Sequence, residues 1–102
     1  MTSVAAVLVT RNAERWLPAL LQSIAAQTRS ADRLVVVDDG STDETRDLLE
    51  AAGAQVESAT TASSDVTTRI AQNFVQGVRA CGDVDLVVLG DHDDVWHPDR
   101  IA

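Results

Sequence analysis

Short apolar runs alternate with amphipathic stretches along the chain, and this alternation predicts the fold. Four runs are typical of buried strands: Val4–Val9, Leu34–Val37, Ala54–Ser58 and Leu86–Leu89. The third is the weakest, because Val56 is its only strongly apolar residue, and we expect it at a sheet edge. Strands that alternate with helices imply right-handed crossovers. We therefore predict an α/β protein, a Rossmann-like three-layer α/β/α fold with a mainly parallel sheet.

The intervening stretches carry apolar residues three and four positions apart, the spacing of a buried helical face. A first helix is predicted from Leu17 to about Gln27, and Trp16 just before it is expected in the core. A second helix is predicted from about Asp43 to Ala52.

A third helix is predicted from five apolar residues at intervals of four, four, four and three. They are Val66, Ile70, Phe74, Val78 and Cys81. We expect this stripe to face the sheet, with Cys81 as a small core residue rather than a nucleophile.

Polar residues follow three of the predicted strands directly. These clusters are Thr10–Asn12, Asp38–Gly40 and Asp91–Asp94. Because the carboxyl ends of parallel strands share one edge of a sheet, the clusters should gather there. In open α/β sheets ligands bind at that edge.

The second cluster lies in the stretch LVVVDDGSTDE, around which the chain is organised. Gly40 opens a turn, and Ser41 with Glu44 has the pattern of a capping box that starts the second helix. Asp38 and Asp39 have two interpretations, which can both hold: turn acids near a helix N-terminus, or hydrogen-bond acceptors for a base or ribose.

The third cluster places three carboxylates within four residues, and these repel one another unless a cation joins them. Oxygen ligands suit Mg²⁺ or Mn²⁺. The alternative is a solvated acidic turn. His92 and His97 lack the spacing of a zinc site on one helix face, and a surface or turn position is the simpler interpretation.

Composition excludes several classes of function. The net charge of −8 argues against nucleic-acid binding through a basic face. All eight basic residues are arginines, so a receiver domain lacks the lysine it needs. No P-loop or dinucleotide-binding glycine motif is present. One cysteine, no long apolar run and no basic N-terminal leader favour a cytoplasmic setting.

With these motifs in place, the chain resembles family 2 of the inverting glycosyltransferases, which have the GT-A fold. VVVDDGSTDET is nearly the commonest form of that family's motif, and AAVLVTRN and SIAAQT are similar to its opening strand and the end of its first helix. LGDHDDVWHPDRI is most similar to the rhamnosyltransferase-like branch. The chain departs from the pattern at Arg11, where a tyrosine is usual, and at His92.

The resemblance implies a role for each matching residue. Thr10 and Asn12 would line the base and ribose pocket, Asp39 would accept from the base, and Asp38 would support the turn. Asp93 would bind Mg²⁺ or Mn²⁺, with Asp91 near the ribose or the metal. The general base would lie outside this chain. Residues 1–102 would thus be the N-terminal, nucleotide-sugar-binding half of a GT-A domain, without its acceptor half.

The expected function is metal-assisted transfer of a sugar, with inversion, from a nucleotide-diphosphate donor of the UDP or dTDP type. The acceptor would be a glycan or a lipid-linked molecule, as in polysaccharide and cell-wall biosynthesis. The alternative is a non-catalytic nucleotide- or metal-binding α/β module. We expect a cytoplasmic location, with the inner face of the membrane as an alternative for the full-length protein. Self-association through an exposed strand edge is a further expectation.

Overall fold

The computed structural model describes residues 2–60, 63–91, 95–98 and 100–101, with Asp91 described by its main chain alone. Strands and helices alternate throughout this part of the chain. The elements are β1 (Val4–Thr10), α1 (Leu17–Ala25), β2 (Arg33–Asp38), α2 (Thr45–Ala51), β3 (Gln55–Ser58), α3 (Val66–Ala80) and β4 (Leu86–Asp91).

The strands form one sheet in the order β3-β2-β1-β4, and every neighbouring pair is parallel. Helices α1 and α2 cover one face, where Leu17, Leu20 and Leu49 join one core cluster. Helix α3 covers the other face, where Cys81 packs in a second cluster. The predicted three-layer α/β/α arrangement is confirmed, and β3 lies at an edge as expected.

Strand β1 contributes alternate residues to the two core clusters, one on each face of the sheet. Ala6 and Leu8 belong to the cluster beneath α1 and α2, whereas Ala5 and Val7 belong to the cluster beneath α3. All four are 0% exposed. Successive side chains of a strand point to opposite faces, so a continuous apolar run suits a central strand that is buried on both.

The expected burial of the apolar stripe on α3 is wrong for most of its members. Val66 is 68% exposed, Ile70 44% and Val78 41%, although Phe74 is partly buried and Cys81 is buried. The residues of α3 that are buried are Asn73 and Gly77. The helix is therefore rotated from the orientation that its apolar periodicity predicts.

Close approach at Gly77 accounts for part of this rotation. A Cβ atom placed there would lie 2.5 Å from Cγ1 of Val7 and 3.3 Å from Cγ2 of Val37. Any side chain larger than hydrogen would force α3 away from the sheet. Arg69 and Asn73, on the same side of the helix, make the polar contacts to Asp39 that are described below.

Two local predictions also need correction. Helix α2 begins at Thr45 rather than about Asp43, and Ser41 does not cap it. The N–H of Thr45 donates instead to Oδ1 of Asp43, at 2.9 Å, while Ser41 bonds to Asp38. Trp16, expected in the core, is instead 41% exposed, whereas Ala13 and Leu17 are buried.

Strand β4 forms the other edge of the sheet in the described part of the chain. Leu86 is 54% exposed and Leu89 44%. Among the described residues, none of the helices is both long and apolar enough to span a membrane.

Candidate functional site

The polar ends of the strands meet at one edge of the sheet, as predicted. Thr10 pairs with Asp38 in the register of β1 and β2, and Val9 pairs with Asp91 in the register of β1 and β4. The three polar clusters of the sequence therefore begin side by side.

Asp38 is a buried structural residue at this edge, 3% exposed. Its Oδ1 accepts from the hydroxyls of Thr10, at 2.8 Å, and Ser41, at 2.6 Å. Its Oδ2 accepts from the N–H of Ser41 at 3.2 Å. These bonds agree with the prediction that Asp38 supports the turn. The Thr10 hydroxyl donates to Asp38, although Thr10 also lines the cavity described below.

Asn12 links the loop after β1 to the loop after β2. Its Oδ1 accepts from the N–H of Thr42 at 2.8 Å, and its own N–H donates to Oγ of Ser41 at 2.8 Å. A third link runs from the N–H of Ala13 to Oγ1 of Thr45 at 2.7 Å. Asn12 thus holds two loops together, and it is not among the residues that line the cavity. Its φ of 48° lies in the left-handed region, which asparagine tolerates better than most residues.

Asp39 lies on the face of the sheet that α3 covers, and its side chain binds that helix. Oδ2 accepts from Nε of Arg69 at 3.1 Å, and Oδ1 accepts from Nη2 of the same guanidinium at 2.5 Å. Nδ2 of Asn73 also donates to Oδ2, at 3.2 Å. The hydrogen bonds from Arg69 lower the pKa of Asp39, to which the bond from Asn73 and the charge of Arg11 add. Asp39 is therefore a carboxylate at neutral pH.

Asp39 and Arg69 both have hydrogen-bonding groups that no described residue uses. A carboxylate offers about four lone-pair sites, and three N–H groups occupy sites on Asp39, two of them on Oδ2. One acceptor site remains on Oδ1. Arg69 carries five N–H groups. Two bond to Asp39 and one, on Nη1, bonds to the carbonyl of Ser63 at 2.9 Å. Within the described residues, one acceptor site of Asp39 and two N–H groups of Arg69 therefore remain free side by side.

A cavity of about 170 Å³ adjoins the pair, between the end of β1 and the first turns of α3. Its apolar lining comes from Val9, Val66 and Ile70. Its polar lining comes from Thr10, Arg11, Asp39, Arg69 and Asn73. Oδ1 of Asn73 is buried and has no hydrogen-bond partner among the described residues. The cavity thus combines apolar walls with charged and polar groups, the usual make-up of a small-molecule site.

Sequence reasoning missed Arg69 and Asn73 as site residues. The signal was present in the spacing, because Arg69, Asn73 and Gly77 recur every four residues and define a second stripe along α3. The stronger apolar stripe beside it concealed this pattern.

The predicted metal ligands fall largely outside the described residues. The main chain of Asp91 ends β4 at the same edge as Thr10 and Asp39, but its side chain and all of His92, Asp93 and Asp94 lie outside them. Among the described side chains, no group of three or more histidine, cysteine or acidic residues could hold a metal ion.

The residues that follow this motif are anchored to α1 and to the segment directly after it. The N–H of Trp96 donates to Oγ of Ser23 at 2.8 Å, and Nε2 of Gln27 donates to the carbonyl of His97 at 2.8 Å. The indole packs against Gly90, where a Cβ atom would lie 2.8 Å from Cζ2 of Trp96. In the sequence, the acidic motif is thus followed directly by residues that pack against α1 and the end of β4.

Comparison with protein families gives one match over nearly the whole chain. The model described as glycosyl transferase family 2 matches residues 5–102. An uncharacterized glycosyltransferase of Nostoc sp. is 31% identical over 105 residues, which cover 96% of this chain and 30% of that protein. A PGL/p-HBAD biosynthesis glycosyltransferase of Mycobacterium tuberculosis is 32% identical over 96 residues, which cover 94% of this chain and 38% of the relative. The chain thus spans about a third of the length of these relatives.

Solved structures share the fold. TarS of S. aureus superposes with a TM-score of 0.77 at 24% identity, over 98% of this chain and 18% of that one. Glucosyl-3-phosphoglycerate synthase from Mycobacterium tuberculosis, in complex with Mn²⁺, UDP and glucosyl-3-phosphoglycerate, superposes with a TM-score of 0.70. It is 27% identical over 95% of this chain and 36% of that one.

Proposed function

The chain belongs to glycosyl transferase family 2, and we propose that it forms the nucleotide-sugar donor site of a glycosyltransferase. The observation that carries this proposal is the pairing of Asp39 with Arg69 at the edge of a cavity. The pair offers one free acceptor beside free donors. A nucleobase that carries an N–H next to a carbonyl group complements this arrangement.

The hydrogen-bonding pattern selects among bases. Uracil and thymine present N3–H between two carbonyl groups, and guanine presents N1–H beside one. Cytosine and adenine have an unprotonated ring nitrogen at the equivalent position, so they can offer the Asp39 carboxylate a proton only from their amino group, with the base shifted along the pair. We propose a donor of the UDP or dTDP type, and the UDP bound by the mycobacterial synthase supports this choice.

We also propose a divalent metal at the same edge of the sheet. Asp91 ends β4 directly beside Val9 of β1, so the acidic motif starts next to the nucleotide pocket. We propose that Asp93 and Asp91 bind Mg²⁺ or Mn²⁺, with Asp94 extending the acidic cluster. The mycobacterial synthase contains Mn²⁺ together with UDP. When bound, such an ion neutralises the diphosphate as charge develops on it.

Sugar transfer, the acceptor and the location concern the whole protein rather than residues 1–102 alone. We propose sugar transfer with inversion to a glycan or lipid-linked acceptor, with residues 1–102 as the donor half of the GT-A domain. The general base would come from outside this chain. We propose a cytoplasmic location, with the inner face of the membrane as an alternative for the full-length protein. If nucleotide binds but a longer protein that carries the acceptor half transfers no sugar, the alternative of a non-catalytic binding module gains support.

Calorimetric titration of UDP in Mn²⁺ and in EDTA tests the donor site and the metal together. We expect binding that is stronger in Mn²⁺, and an Asp93→Ala variant that loses the effect of the metal. Asp83→Ala is a matched control, because Asp83 is exposed in the connection between α3 and β4. A folded chain that binds UDP under neither condition would overturn the proposal.

A further inference from the structure

Gln27 is a buried polar residue that ties two distant parts of the chain together. It lies two residues after the end of α1 and is 6% exposed. Its Nε2 donates to the carbonyl of Ser23 at 3.1 Å and to the carbonyl of His97 at 2.8 Å. Its Oε1 accepts from the N–H of Ile101 at 3.1 Å. Both N–H groups of the amide and its oxygen are therefore engaged, and two of the three bonds reach residues 70 and 74 positions further along the chain.

The segment that Gln27 binds is held mainly through its main chain. Among the described residues 95–98 and 100–101, Trp96 is the one whose side chain is buried, whereas His97 and Pro98 are exposed. Thr28 donates to the carbonyl of Pro98 from its N–H at 2.9 Å and from its hydroxyl at 3.1 Å. Because side-chain burial holds this segment at one residue, hydrogen bonds from the end of α1 determine its path.

This segment follows the acidic motif directly in the sequence. Strand β4 precedes the motif, and its main chain is fixed by parallel pairing with β1. Carboxylates that repel one another bind a cation more tightly when the flanking chain is already ordered, because less conformational entropy is lost on binding. Gln27 lines neither of the cavities that contain Asp39, so an effect on ligands would be transmitted through the chain that it holds.

We propose that Gln27 is a positioning residue for the metal site. By holding the main chain at His97 and Ile101, it sets the affinity of Asp91 and Asp93 for Mg²⁺ or Mn²⁺, while it contacts neither the metal nor the nucleotide. This assignment rests on the proposed donor and metal site. Glutamine suits the role because one planar amide supplies two donors and an acceptor, and both of the distant groups that it binds are main-chain groups.

Two substitutions remove different parts of this contact. Gln27→Met keeps the length of the side chain and removes all three hydrogen bonds. Gln27→Glu keeps an acceptor for the N–H of Ile101, but as a carboxylate it cannot donate to the carbonyl of His97. Gln22→Met is the matched control, since Gln22 is an exposed residue of α1. Calorimetry measures the affinity for Mn²⁺ in saturating UDP and, separately, the affinity for UDP in EDTA.

Positioning predicts that Gln27→Met binds Mn²⁺ about tenfold more weakly than the wild type, with a smaller loss in Gln27→Glu. The affinity for UDP in EDTA should stay within about twofold of the wild type in every variant, because the base-reading pair lies on the other face of the sheet. Gln22→Met should match the wild type in both measurements. Wild-type affinity for Mn²⁺ in Gln27→Met would overturn the assignment. An equal loss of UDP affinity in EDTA would also overturn it, because it would indicate a general loosening of the fold.

A second variant decides the question if Gln27→Met does not fold, which thermal unfolding followed by circular dichroism checks. Ser23→Ala removes the acceptor for the N–H of Trp96 and so releases the same segment at another point, while alanine favours the helix. Weaker Mn²⁺ binding by Ser23→Ala, with unchanged UDP affinity in EDTA, would support the assignment, and unchanged Mn²⁺ binding would overturn it. A wild type whose UDP binding does not respond to Mn²⁺ rejects the proposed metal site itself, and the role of Gln27 with it.

Discussion

Arg69 donates from Nε and Nη2 to the two oxygens of Asp39, at 3.1 and 2.5 Å, across 30 residues of sequence. This bidentate contact joins the first turn of α3 to Asp39, the residue directly after β2. It fixes the rotation of the helix against the sheet, and it also forms the edge at which we place the nucleobase. A bidentate arginine–carboxylate pair is both stronger and more directional than a single ion pair.

The Asp39–Arg69 pair should make the free energy of unfolding depend on pH in the acidic range. The pKa of Asp39 is lowered in the folded protein, chiefly by the hydrogen bonds from Arg69. Its contribution to stability is therefore complete above the unfolded pKa of about 3.9 and is lost as the pH falls through the lower, folded value. Urea unfolding from pH 7 downward should show Asp39→Asn less stable than the wild type at neutral pH, with a difference that shrinks below about pH 4. A difference in stability that stays constant with pH would contradict this account. As a control, Asp83→Asn, at an exposed position, should be as stable as the wild type.

Gly77→Ala should destabilise the protein although alanine favours helices. The new methyl group would meet Cγ1 of Val7, and we expect a loss of about 1–3 kcal/mol in the free energy of unfolding. Chemical denaturation measures it. The control is the same change in a Val7→Ala background, which removes the obstructing atom. Equal costs in both backgrounds would show that the contact does not set the position of α3.

Asn12 should matter through both its backbone and its side chain. Asn12→Gly removes the acceptor for the N–H of Thr42 but accommodates the φ of 48°. Asn12→Ala removes the acceptor and also places a Cβ-bearing residue without asparagine's tolerance in the left-handed region. We expect Asn12→Ala to be less stable than Asn12→Gly by about 1 kcal/mol. Denaturation midpoints that do not differ would contradict the left-handed conformation.

Gly90→Ala should displace the buried tryptophan. A Cβ atom at Gly90 would lie 2.8 Å from the Trp96 ring and 3.0 Å from Cδ2 of Leu8. In a Trp16→Phe background only Trp96 fluoresces, and its emission should shift to longer wavelength when Gly90→Ala exposes the indole. Unchanged emission would show that the site accommodates the methyl group. If Trp96 anchors the acidic motif, the effect of Mn²⁺ on UDP affinity should weaken in the same variant.

The strands could be predicted because a strand that is buried on both faces has a continuous apolar run in the sequence. The runs at β1 and β2 are continuous and rich in valine, and the polar residues directly after them mark the ligand edge. The position of Asp39 followed from that rule alone. Even β3 was placed correctly at an edge from the single strong apolar residue Val56.

The rotation of α3 could not be predicted in the same way. Its strongest periodic signal is apolar, yet the side facing the sheet carries Arg69, Asn73 and Gly77. Long-range polar contacts and one close backbone approach decide the orientation, and neither appears in a hydrophobic pattern. The capping box failed for a related reason, because the Ser41 hydroxyl donates to the buried Asp38 rather than meeting the helix.

Comparison of UDP, dTDP and CDP in one calorimetric series tests the central claim most directly. UDP and CDP share ribose and phosphates, so the comparison isolates the base edge that faces Asp39 and Arg69. The account predicts that the wild type binds UDP and dTDP and binds CDP at least about tenfold more weakly, because cytosine has no N3–H and can reach the Asp39 carboxylate only with its amino group, in a shifted position. In Asp39→Asn that preference should largely disappear. Equal affinity of the wild type for UDP and CDP would contradict base reading by Asp39 and Arg69.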